Sequence, residues 1–436
     1  MISLAGRNIL KNGVANTLSK GVRIADQLLL VPFFLSSWGA EYYGEWLTLT
    51  IIPSVLGFSD LGFGSAASNA FVLHYSNGER ERASNIYVTA LYVISAAVLL
   101  GAALSAIAMV SINYLGLLAN SLIDVEDAFW ALIYLIISRL IAFYTQLYEA
   151  MFRARRVAHI STNINTAEGV VKICAGIAVL NSGYGILYYA LSQLIIGVVF
   201  ITLNMVYAHI IIGELPKGRY TKSDSRSIVR KGFGYLMSPI WQSIYFQGST
   251  FAVRVVLGAE SVAIFNTVRT LCRSANQLFS IVDNSVFPEL QYAIGSGNGA
   301  QTHKIFSRAL QFVSVCALVG VVGLMLFGRP IYNWWTNNEL SVPSVMWNIF
   351  MVGICLNAVW WSAASTFRAT NKPYLLAKYG VISATISTLC TYLLATRFGL
   401  TGATMGYVVM DILMSVLILP AALKGLDMNW NQLFKI

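Results

Sequence analysis

Arg269 and Arg273 stand four residues apart in an apolar stretch, and no other pair of side chains in the chain is better spaced to grip an anion. Advancing 100° per residue, Asn266, Arg269, Arg273, Asn276, Ser280 and Asp283 share an arc of about 100° on a helix. Guanidinium groups at i and i+4 repel one another. That spacing makes sense opposite an anion; the other reading pairs the arginines with acids on neighbouring helices, such as Asp26 or Asp60.

Three further stripes carry charge. Asn12, Asn16, Ser19, Arg23 and Asp26 lie on one face of the first apolar segment, Arg139, Gln146, Glu149 and Arg153 on one face of the fourth, and Ser161, Asn165, Glu168 and Lys172 on one face of the fifth. Arg23, Arg139 and Lys172 add positive potential to a polar interior, while Glu149/Arg153 and Glu168/Lys172 have the spacing of intrahelical ion pairs. Ionisable residues inside a membrane mark substrate or ion pathways, which makes Asp26, Asp60, Asp283 and Asp411 candidates for ion coupling. Asp60 lies beside Gly62 and Gly64, which could expose carbonyls to an ion or serve only for close packing. Asp411, isolated in the last segment, reads equally as a proton site, a cation site or a buried hydrogen-bonded acid.

Other chemistry is missing from the pattern. There is no GxxxxGK[ST] loop for ATP, no HExxH zinc pair and no GxSxG nucleophile. The five cysteines fall in apolar stretches without CxxC spacing and read as buried thiols. The expectation is a transporter that is not an enzyme, with no cofactor, no metal and no nucleic-acid partner.

The elements that position these residues follow from composition. Of 436 residues, 57% are hydrophobic and 11% charged, against about 45–50% and about 25% in soluble proteins, which excludes a water-soluble enzyme. Twelve segments are long enough to cross a bilayer: 13–37, 43–72, 86–112, 128–151, 160–180, 184–212, 233–257, 261–293, 305–328, 343–367, 374–396 and 400–423. With the N-terminus and even-numbered loops on one side, nearly all loop Lys and Arg fall there, and only Arg329 and Arg397 fall opposite. The positive-inside rule then places both termini in the cytoplasm, and the net charge of +10 mostly records that orientation.

The chain also repeats itself. Trp38-Gly39-Ala40-Glu41 recurs as Leu257-Gly258-Ala259-Glu260, Phe152-Arg153-Ala154 as Phe367-Arg368-Ala369, and Tyr184-Gly185 as Phe398-Gly399. Near-constant offsets predict two six-helix lobes, 1–212 and 233–436, joined by a basic cytoplasmic linker over 213–232. Parallel repeats of this kind place a substrate site between lobes. The expected fold is an all-α polytopic membrane protein.

The turn Trp38-Gly39-Ala40-Glu41-Tyr42-Tyr43-Gly44-Glu45-Trp46, followed by Ser59-Asp60-Leu61-Gly62, resembles the start of Wzx-type polysaccharide and O-antigen flippases, within the MATE-like exporter superfamily. Leu257-Gly258-Ala259-Glu260, Ile264-Phe265-Asn266 and Phe287-Pro288-Glu289 are similar to the corresponding second-half features. Where the family often carries an acid, this chain has Val253, so no ion site transfers there. The resemblance implies a MATE-like fold in the bacterial inner membrane and a substrate of undecaprenyl-diphosphate-linked oligosaccharide, with membrane lipids and other polysaccharide-assembly proteins as partners. Arg269 and Arg273 would grip the diphosphate, aided by Arg23, Arg139, Lys172, Asn266 and Asn276. Small-molecule export and membrane glycan polymerisation or glycosyl transfer are the alternatives.

Overall fold

The computed structural model describes residues 4–114, 121–370 and 373–433, and among them helices account for nearly every residue. In the N-terminal unit, Met1–Pro239, α1 (Leu4–Leu49), α2 (Ile51–Ser76), α3 (Arg80–Tyr114), α4 (Val125–Ala142), α5 (Thr145–Ala154), α6 (Ala158–Asn181) and α7 (Ile186–Ile212) follow in order. One of their core clusters joins Phe71, Ile86, Met151, Phe152, Ala208 and Ile212. Next comes α8 (Lys222–Ser243), which leads into the C-terminal unit Ile240–Ile436. That unit holds a π-helical turn (Ile244–Gly248), α9 (Ser249–Leu257), α10 (Ala259–Gly295), α11 (Gly299–Trp335), α12 (Ser344–Ala363), α13 (Ser365–Ala369), α14 (Pro373–Gly425) and α15 (Trp430–Leu433).

Among the described residues, eight helices are long and apolar enough to span a membrane. Two of these, Lys11–Ser76 and Tyr374–Gly425, contain 66 and 52 residues; at 1.5 Å per residue, the first would run about 100 Å if straight, over three times the ~30 Å hydrocarbon core. Both fold back instead. Phe34 stacks on Tyr43 at 5.1 Å and meets Trp46 at 6.4 Å across the bend at Gly39. In α14 the two arms touch backbone to backbone beyond Gly399: a Cβ on Gly406 would lie 2.2 Å from the Thr391 nitrogen, and Ser387 Oγ donates to the Gly406 and Tyr407 carbonyls. The two fold-backs each add a span, while the α8–α9 segment and α10, less apolar because of a basic start and a polar stripe, complete the dozen segments read from the sequence.

The repeated Gly-Ala-Glu is a repeated hairpin. Gly39 has φ 73, ψ 173 and Gly258 has φ 85, ψ −179, one conformation that is almost restricted to glycine. α5 and α13 likewise end on the alanine of the shared Phe-Arg-Ala. The third match differs, since Gly185 has φ −80 and Gly399 φ 58.

The nonapeptide around Gly39 is an aromatic clamp. Trp38 Nε1 donates to the Tyr184 carbonyl at 3.1 Å, and Trp38 and Trp46 both pack edge-on against Tyr189, tying the first hairpin to the α6–α7 turn. The basic stretch 213–232 is not a free tether. Residues 213–221 lie along α3, where Ser84 Oγ donates to the Pro216 carbonyl and the Arg219 and Thr221 amides donate to Asn85 Oδ1 and Thr89 Oγ1; from Lys222 onward the chain is helical.

Gly258→Ala is expected to destabilise the protein by about 1–3 kcal/mol through its backbone conformation alone. Gly320→Ala, in a helix with nothing near the added Cβ, should be neutral or slightly stabilising. Thermal melting of the detergent-purified variants checks both.

Candidate functional site

α10 carries its polar stripe into a cavity of about 280 Å³ inside the C-terminal unit, walled by the end of α8, the π turn, α10, α12 and α14. Arg269, Arg273, Asn276, Asn357 and Asp411 supply polar lining, while Trp241, Tyr245, Phe246, Trp361 and Tyr407 make much of the wall aromatic.

The two arginines behave differently. Arg269 is buried, and its Nη1 donates to the Phe246 carbonyl at 2.8 Å and Ser249 Oγ at 3.0 Å. Its Nη2 donates to Thr250 Oγ1 at 2.9 Å and to Asn266 Oδ1. Phe246, Phe265 and Tyr407 place their rings 5.4–5.8 Å from the guanidinium carbon. Four of the five N–H donors of a guanidinium thus have neutral acceptors.

Arg273, one turn further on, is exposed on the cavity surface, and its guanidinium lies over Phe246 at 4.3 Å. Among the described residues neither arginine forms an ion pair; the two such contacts are His74–Glu79 and Lys172–Glu168. The alternative pairing of these arginines with Asp60 falls on a side chain outside the described residues.

Local backbone chemistry explains the Arg269 pocket. A π turn shifts the hydrogen-bond ladder and leaves carbonyls needing donors. Thr388 Oγ1 donates to the Ile244 carbonyl, Ser249 Oγ to Tyr245, and Thr250 Oγ1 together with Arg269 to Phe246. Gly248 allows the close approach, since a Cβ there would lie 2.9 Å from Thr388 Cγ2.

Asp411 is buried in another wall of the cavity. Its Oδ1 accepts from Asn357 Nδ2 at 2.8 Å and Trp360 Nε1 at 2.9 Å, and its Oδ2 accepts from the Tyr245 hydroxyl at 3.3 Å. Tyr245 stacks on Tyr407 with centroids 4.3 Å apart, so the aspartate and Arg269 share one aromatic pair without touching. Of the alternatives for Asp411, the hydrogen-bonded acid describes what is seen.

The other sequence candidates are placed as follows. Asn266 holds Arg269 and donates to the Val262 carbonyl and does not line the cavity, whereas Asn276 does. The side chains of Asp60, Ser280 and Asp283 lie outside the described residues.

In the N-terminal unit, Lys172 Nζ pairs with Glu168 Oε1 at 2.6 Å. Asp26 lies within electrostatic reach of Lys172 and Arg139, and Arg139 within reach of Glu168. Glu149 accepts from Asn165 at 2.7 Å, and feels Arg153 and Arg23 at longer range; no direct contact joins Glu149 and Arg153, because Arg153 reaches Asn69 Oδ1 at 3.4 Å instead. Every cation proposed for this unit thus has an acid nearby. Asn357, Trp360 and Trp361 also line the cavity, and their i, i+3, i+4 spacing, visible in the sequence, marks one face of α12.

These features define a class. Over 94% of both chains the fold superposes on an inward-facing multidrug resistance MATE family transporter of the MOP superfamily, with a TM-score of 0.74 and 15% identity. A MOP superfamily transporter from Pyrococcus furiosus, whose structure is described as having a binding pocket of reverse polarity, gives a TM-score of 0.61 at 15% identity over 98% of this chain and 96% of its own. The chain has a MATE-like fold, with helices long and apolar enough to cross a membrane among the described residues. Within that class the chain belongs to the polysaccharide biosynthesis protein family, whose model matches residues 12–292. It is similar to a Shigella flexneri protein named "putative O-antigen transporter", at 20% identity over 94% of this chain and 97% of that one.

The geometry separates a structural arginine from an available one. Arg269→Ala leaves buried acceptors at Ser249, Thr250 and Asn266 without their donor and should destabilise by about 2–4 kcal/mol. Arg273→Ala should leave the melting temperature almost unchanged. Parallel thermal melts of the two variants check the division.

Proposed function

We propose that the chain is a flippase that carries an undecaprenyl-diphosphate-linked oligosaccharide, an O-antigen or exopolysaccharide repeat unit, from the cytoplasmic to the periplasmic leaflet of a bacterial inner membrane. Both termini then face the cytoplasm, and two six-helix lobes alternate access. The observation that carries this reading is a pair of arginines in a membrane-embedded cavity with no carboxylate paired to either among the described residues.

Two phosphates cannot cross hydrocarbon bare, since an isolated ion costs tens of kcal/mol there by Born estimates. A cation about 4 Å from one phosphate charge returns roughly 4 kcal/mol at an effective dielectric of about 20, before desolvation. Arg273 makes that contact, and Arg269, locked behind it, adds field. Arg23, Arg139 and Lys172 play a smaller part, since each has an acid within electrostatic reach. Asn276 is a further contact in the cavity. Asp26, Asp60, Asp283 and Asp411 are the acids available to couple an ion.

The family assignment supports polysaccharide transport over drug export, and Arg273 favours an anionic substrate over a cationic drug. Glycan polymerisation or glycosyl transfer has no observation in its favour among the described residues.

In proteoliposomes loaded with the lipid-linked oligosaccharide, Arg273→Ala should slow flipping by about ten- to a hundredfold, matching a charge-assisted contact of about 1.5–3 kcal/mol. Arg273→Lys should retain part of the rate, because charge is kept while the planar fork is lost. Wild-type flipping by Arg273→Ala would overturn the assignment, and drug efflux by the native protein in a sensitive host would favour the exporter.

A further inference from the structure

A second cavity, of about 820 Å³, lies between α3 and α4 within the N-terminal unit, and none of the candidate site residues lines it. Ala102 and Ala106 on α3 keep one wall shallow, and Phe129, Ile133 and Ile136 on α4 form the other. The slot runs from Leu140 to Asp124, sixteen residues or about 24 Å of helix, most of the ~30 Å hydrocarbon core.

Its interior offers no free polar group. Ser105 is buried with its hydroxyl donated to the Gly101 carbonyl at 2.7 Å. Leu104 and Ile107 beside the slot, and Val110 and Ile137 in its lining, are exposed as side chains facing lipid are. One end is charged, because Asp124 and Glu126 line the cavity and no basic side chain does. Asp124 Oδ1 accepts the Glu126 amide at 2.8 Å and caps α4, which holds both carboxylates at the slot's end.

We propose that this slot binds a phospholipid with a primary-amine headgroup, one acyl chain lying between α3 and α4 and the ammonium meeting Asp124 and Glu126. The shape selects an extended hydrocarbon chain, because a long groove with a mostly apolar lining suits acyl methylenes better than a sugar or a hydrated ion. The charge selects the headgroup: two carboxylates repel phosphatidylglycerol and prenyl phosphates and attract an ammonium. The inference does not depend on the flippase reading, since it rests on another cavity and only on the protein's being embedded in lipid.

Native mass spectrometry of the full chain in detergent, given equal phosphatidylethanolamine and phosphatidylglycerol, tests it directly. Wild-type protein should retain the ethanolamine lipid several-fold over the glycerol lipid, a preference of the size that exposed charge pairs supply. Asp124→Asn with Glu126→Gln keeps a capping side chain and should bring the ratio to about one. Ala106→Trp fills the slot and should reduce retention of the ethanolamine lipid. Equal retention by wild type, a preference untouched by the double substitution, or displacement of the ethanolamine lipid by added undecaprenyl phosphate would overturn the proposal.

Discussion

A guanidinium inside a membrane has no water to turn to, so the protein must supply its acceptors. Arg269 finds them entirely in neutral groups: one carbonyl, two hydroxyls and one amide oxygen, with aromatic faces around them. Much of the C-terminal unit is arranged to make that possible. The π turn releases the Phe246 carbonyl toward the arginine, Gly248 lets α14 approach, and Thr388, Ser249 and Thr250 cover the remaining carbonyls. A carboxylate would satisfy the same donors with fewer parts, but it would also cancel the charge. The neutral arrangement keeps the cavity positive.

The hairpins that carry these helices rest on local backbone chemistry. Gly39 and Gly258 adopt a conformation that side chains penalise, and in the N-terminal unit the surrounding aromatic residues hold the turn in place. Close packing of the α14 arms depends on Gly406, where a Cβ would collide with backbone. Within a membrane, interhelical packing has little hydrophobic drive, so turns with a single allowed geometry and small residues at the contacts determine which helices become neighbours.

Much of this was legible in the sequence. Hydrophobic length places the twelve segments, and the repeated Gly-Ala-Glu is visible as letters because one backbone conformation requires glycine twice. The 100° periodicity puts Arg269 and Arg273 on one face correctly, yet it is blind to radial depth: both share the stripe, and only tertiary contacts make one a buried strut and the other a cavity group. The same limit hid the role of Asn266, whose position on the stripe suits ligand contact while its amide oxygen holds Arg269. Asn165 intervened at Glu149 from a neighbouring helix, which no intrahelical spacing rule can anticipate, whereas Lys172–Glu168 formed as the spacing expects. The partners of Asp411 come from α12 and the π turn, more than fifty residues away along the chain.

The distribution of compensation separates the two units more sharply than the count of charges does. Around Asp26, Arg139, Glu168 and Lys172 acids and bases are balanced, so an incoming anion would have to compete with carboxylates already in reach. Around Arg273 the neighbours are an aromatic ring and another arginine, and an anion there relieves repulsion as well as gaining attraction. A transporter needs affinity at one site without permanent occupancy. In the proposed flippase, one exposed guanidinium on an aromatic face, backed by a second held by neutral acceptors, would give a contact strong enough to draw a charged headgroup in and weak enough to release it. Two free arginines closing bidentately on the same phosphate would hold it more tightly and slow its departure.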